Sequence, residues 1–123
     1  MKKFEYDNTA YRVNLAKKYV LEALCNSMHV KRATHDRREV ILSCNNIFKN
    51  LIKFNEDIRF ICFILNRHFK TDMDWIALSK CKTVDDICKF VVYSLDKPEC
   101  VQRRRTMVIQ GYIPKDDLLL AVY

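Results

Sequence analysis

Glycine and proline are almost missing from this chain: its 123 residues include one glycine and two prolines. Average usage would give roughly eight or nine glycines and six prolines. Tight β-hairpins, dinucleotide-binding crossovers and phosphate-cradling loops all need glycine at fixed places. Their scarcity disfavours all-β, Rossmann and P-loop folds and leaves all-α as the expected class. Long apolar runs are missing too. The run Phe60–Leu65, for example, falls far short of the ~20 residues that a membrane-spanning helix needs. The opening Met1-Lys2-Lys3-Phe4-Glu5-Tyr6-Asp7 carries charge with no apolar stretch behind it, so no secretory signal is read and a cytoplasmic location is expected. No C-x-x-C pair occurs, which removes the zinc-ribbon and thioredoxin patterns. His29 and His35 share no helical face, and nothing has metal-ligand spacing, so no metal site is expected.

What is present fits one globular domain spanning residues 1–123, half hydrophobic and 30% charged. The six cysteines, Cys25, Cys44, Cys62, Cys81, Cys88 and Cys100, read as reduced thiols, several of them small core residues. The net charge of +7 is uneven: residues 1–55 hold 11 basic and 5 acidic side chains, whereas the rest is nearly balanced. Basic clusters stand at Lys2-Lys3, Lys17-Lys18, Lys31-Arg32, Arg37-Arg38 and Arg103-Arg104-Arg105. Such clusters suit solvated helix faces, acidic partners or nucleic acid, but no recognised nucleic-acid motif accompanies them.

Periodicity predicts a first helix over 9–28, with Val13, Ala16, Val20, Ala23 and Leu24 on one face and Asn8 or Thr9 as cap. Residues 29–36 read as a polar connection. A helical pattern, or a helix plus a structured loop, covers 37–53. Asn55 is expected to cap the next helix, with Glu56 and Asp57 at its positive end. Ile58, Ile61, Cys62, Leu65 and Phe69 form the core stripe of that helix. Phe60, Phe63 and Ile64 lie off it, so the helix is apolar nearly all round: either central or a docking element. A short helical turn is expected over 74–79. Thr83 with Asp86 reads as a capping box for a helix that Pro98 ends. Residues 101–112 fit strand or helix, and 115–123 suggest a short closing helix capped by its aspartates.

Residues 46–95 resemble an acyl carrier protein. Phe69 closes one helix, thirteen residues follow, and Thr83-Val84 opens the last, the gap of bacterial fatty-acid carriers. Ungapped, Ile47 and Leu51 fall on the family's F-x-x-x-L pair, and Ile61, Leu65 and Phe69 on its core stripe. The resemblance implies a four-helix bundle, here with N- and C-terminal extensions (9–28 and 99–123). The family carries 4'-phosphopantetheine on the serine of an Asp-Ser-Leu motif. Phe54-Asn55-Glu56 stands in that place, and Asn55 has no hydroxyl to esterify. The family also presents acidic residues outward on this helix, where this chain has Arg59, Phe60, Phe63 and Arg67. The expectation is therefore a non-enzymatic bundle without a cofactor. It would meet a protein partner, or a second copy, through Arg59, Phe60, Phe63 and Arg67. The alternatives are a divergent carrier modified on another serine, and a basic nucleic-acid-binding module using Arg37, Arg38, Arg103, Arg104 and Arg105. Catalysis has only isolated candidates, such as Cys81 with His68, and no motif joins them.

Overall fold

A computed structural model describes residues 2–27, 37–52 and 54–122. The connection 29–36, with His29, His35 and the Lys31-Arg32 cluster, lies outside the described residues, as do the side chains of Lys2, Lys3 and Arg37. Among the described residues there are seven helices and no strand: α1 (Lys2–Ser27), α2 (Arg37–Ser43), α3 (Ile47–Asn50), α4 (Asn55–Phe69), α5 (Trp75–Ser79), α6 (Val84–Leu95) and α7 (Pro98–Ile109). No helix among them is long and apolar enough to cross a membrane. The chain is all-α.

The long helix α1 packs chiefly on α6 and next on α4. Its Ala16, Val20, Ala23 and Leu24 are buried at helical spacing. Arg12 continues that face: its guanidinium is almost fully covered and grips the Asp96 carboxylate just past α6, at 2.8 and 3.1 Å. The helix starts well before the expected residue 9, so Asn8 and Thr9 lie inside it rather than capping it. From α6 come Ile87, Cys88, Val91 and Leu95, all fully buried. Its start is the expected capping box: Thr83 Oγ1 accepts from the Asp86 N–H at 3.2 Å, and the Asp86 carboxylate accepts from the Thr83 N–H at 3.2 Å.

The pattern over 37–53 divides into two short helices. Asn46 caps α3 by accepting from the Lys49 N–H. The Ile47 N–H then donates to the Lys82 carbonyl at 2.8 Å, tying α3 to the α5–α6 connection. Ile47, Phe48 and Ile52 are buried there.

The C-terminal part differs most from expectation. Pro98 does not merely follow α6; it opens α7 at a position where its missing N–H costs nothing. The helix ends at the single glycine. Gly111 takes φ +84°, its N–H donates to the Val108 carbonyl, and the Tyr112 N–H reaches back to the Met107 carbonyl at 2.8 Å. This paired closure needs a left-handed residue. Residues 115–122 form turns rather than a closing helix. One Asp117 carboxylate oxygen accepts from the N–H groups of Leu119 and Leu120, at 2.9 and 2.6 Å, and both leucines are buried.

Candidate protein-contact face

α4 is built with two unlike sides. Ile58, Ile61, Cys62, Leu65 and Phe69 are buried and face the bundle. On the opposite side, Phe60 is 52% exposed and Phe63 59% exposed. Glu56, Phe60, Phe63 and Arg67 follow at steps of four, three and four, which places them in one stripe along the solvent side. Glu56 and Arg67 are also exposed. A shallow open groove runs along this face, lined by Phe60, Phe63, Ile64, Arg67, His68 and Lys70.

The ends of α4 fix the orientation of the stripe. Phe54, not Asn55, is the residue that caps the helix, and it supplies no side-chain bond. Asn55 is the first helical residue. Glu56 and Asp57 in the first turn, and Arg67 and His68 in the last, complement the helix dipole. The C-terminus closes at Lys70, which adopts the left-handed conformation with φ 59°. The N–H groups of Lys70 and Thr71 both donate to the Asn66 carbonyl.

Asn66 then organises the following loop. Its side-chain oxygen accepts from Thr71 Oγ1 at 2.9 Å and from the Met73 N–H at 2.7 Å, while its amide donates to the Met73 carbonyl at 3.0 Å. The Cys62 thiol donates to the same carbonyl, at 3.2 Å. The loop carries Asp72, which pairs with Arg103 of α7 at 2.7 Å, and leads to α5, where the Trp75 ring lies under the Arg59 guanidinium at 4.6 Å. Arg59 is thus held by an aromatic face at the edge of the stripe.

On the other edge, His68 stacks on Tyr19 of α1, with ring centroids 4.1 Å apart, and meets Phe69 edge-on at 4.8 Å. Loss of water around the ring lowers the His68 pKa below 6.5. The Lys70 charge adds to this, while Asp117 and Glu22 oppose it. The shift favours the neutral imidazole, which packs as an aromatic ring against Tyr19 and Phe69.

The other expected site residues fall apart. Arg103, Arg104 and Arg105 do not make one basic surface. Arg104 is fully buried, which takes it out of the residues expected of a nucleic-acid-binding surface: its Nε donates to the Leu120 carbonyl at 3.2 Å and one terminal nitrogen donates to the Leu95 carbonyl at 2.8 Å. Arg103 is held by Asp72 and by the Lys70 carbonyl. Arg105 is exposed, as is Arg38 on α2. Sequence reasoning missed Arg104 because three adjacent arginines read as a solvated cluster. The signal present was its register with Cys100, one helical turn earlier and equally buried.

The residues at the expected prosthetic-group position do not fit that group. Asn55 is exposed and offers no hydroxyl. Ser43, the nearest serine upstream, sits at the end of α2 and donates to the Glu39 carbonyl at 2.8 Å. Of the residues considered for catalysis, Cys81 directs its thiol at the Asp86 carbonyl, and burial pushes its pKa up to about 11. Such a thiol is a poor nucleophile. Among the described residues no three metal-ligating side chains gather. Comparison with protein-family models, with curated proteins and with solved structures finds no match.

Proposed function

We propose that this chain is a non-enzymatic helical protein that acts by protein–protein contact through the outward face of α4. The carrying observation is the pair Phe60 and Phe63, both more than half exposed at the centre of that face. Fully burying a phenylalanine side chain is worth about 1.5–3 kcal/mol relative to leaving it in water. Two such rings flanked by Arg59 and Arg67 have the composition of an interface centre, where aromatics and arginine are enriched.

The acyl-carrier-like arrangement is part of this proposal. Within residues 46–95, α4, the short α5 and α6 follow in the order that the resemblance implies, and the N-terminal extension α1 packs on α4 and α6. On this reading Asn55 in place of the serine leaves a bundle without a prosthetic arm, and the outward residues of α4 meet an acidic or apolar surface rather than a basic enzyme.

The test is the double variant Phe60→Ser/Phe63→Ser. Both rings are solvent-exposed, so the helical circular-dichroism signal and the melting temperature should stay within a few degrees of the parent. Cross-linked products formed by the parent chain in native extract should disappear. An unfolded variant would mean the rings support the core, and unchanged cross-linking would mean the contact lies elsewhere.

A further inference from the structure

We infer that the occupant of the α4 face is a second copy of this chain, bound antiparallel across a two-fold axis through the midpoint between Phe60 and Phe63. This rests on the contact reading above and names its partner.

The argument is the symmetry of the exposed stripe. Glu56 stands four residues before Phe60, and Arg67 stands four residues after Phe63. Turning the stripe end over end about its centre brings each Phe60 beside Phe63 of the second copy. The same rotation brings each Glu56 opposite Arg67 of the second copy. An isologous contact needs this kind of self-complementary surface. Glu56 in the acidic first turn of α4 then faces Arg67 in its basic last turn twice. The antiparallel arrangement also sets opposite ends of the two helix dipoles side by side.

The seam is short. Glu56 and Arg67 are eleven residues apart, which is about 16 Å along the helix. A contact confined to one helix face falls below the ~1,200 Å² of a standard stable interface, so the dimer is weak and concentration-dependent. Sedimentation equilibrium over a wide protein concentration range is the measurement. The wild-type chain should pass from monomer to dimer. Glu56→Arg sets two arginines against each other at both ends of the seam, and Arg67→Glu sets two glutamates. Each should weaken self-association at least tenfold, a loss of about 1.4 kcal/mol. An equimolar mixture of the two variants places arginine against glutamate at both ends and should restore association. So should the double exchange Glu56→Arg/Arg67→Glu. These side chains are exposed, and circular dichroism checks that each variant stays folded.

Wild-type protein that remains monomeric overturns the inference. So do single variants that associate as the parent does, or a mixture that fails to associate. A monomeric chain whose cross-links to another protein still depend on Phe60 and Phe63 overturns the second copy while leaving the contact face standing.

Discussion

Replacing Arg104 with methionine tests whether a buried guanidinium holds the C-terminal segment onto the bundle. The side chain is fully buried, and its donors reach the Leu95 carbonyl at 2.8 Å and the Leu120 carbonyl at 3.2 Å. Hydrogen bonds from a charged group are worth about 1.5–3 kcal/mol each, so about 3–6 kcal/mol for the two. Against them stands the loss of water around the guanidinium, several kcal/mol. Methionine keeps much of the volume and removes that cost, but it leaves both carbonyls without these donors. The expected net loss is about 2–4 kcal/mol. At about 4 °C per kcal/mol for a chain of this size, the melting temperature should fall by roughly 8–16 °C. Alanine adds a cavity and should cost more. Denaturant titration gives the global value. Hydrogen exchange at the Leu119 and Leu120 amides, which donate to Asp117, gives the local one. A methionine variant within about 0.5 kcal/mol of the parent, with unchanged exchange at both leucines, would refute the clamp.

Asn66→Ala removes three hydrogen bonds that shape the loop after α4, and should cost about 2–4 kcal/mol by urea unfolding. Lys70→Gly relieves a left-handed backbone at a non-glycine residue and should raise stability by about 0.5–1 kcal/mol, read as a higher denaturation midpoint. Burial raises the thiol pKa of Cys81 to about 11 and of Cys88 to about 12, from an ordinary 9.0. Native protein at pH 8 should therefore alkylate at both positions at least tenfold more slowly than unfolded chain, by mass spectrometry of the labelled peptides. Because the fold disfavours both thiolates, their contribution to stability is level below about pH 9 and is lost as pH rises through the folded values. A stability that stays flat to pH 12 would contradict it.

The parts of the fold legible in the sequence were those whose local chemistry and periodicity agreed. α6 combines a Thr83–Asp86 capping box with an unbroken apolar repeat, so its type and start were readable together. The two sides of α4 were readable because its core stripe leaves Phe60 and Phe63 opposite. Elsewhere, a residue played a role its type does not announce. Phe54 rather than Asn55 caps α4 because the backbone turns extended one residue earlier, and nothing in the side chain marks this. α7 was ambiguous between helix and strand because its buried positions include Arg104, which breaks the hydrophobic pattern while occupying the core face. The closing segment was expected to be helical from its two aspartates, yet Asp117 satisfies two N–H groups in a turn and lets Leu119 and Leu120 enter the core. Its outcome depended on tertiary burial, which local propensity does not carry.

The most direct measurement places a photoreactive phenylalanine analogue at Phe63 and, as a control, at Tyr93, which is 66% exposed on the outer side of α6. Irradiated in native extract, the chain labelled at position 63 should give a discrete cross-linked product, whether with itself or with another protein. The chain labelled at position 93 should give none. A discrete product from position 93 and nothing from position 63 would contradict the assignment of α4 as the contact face.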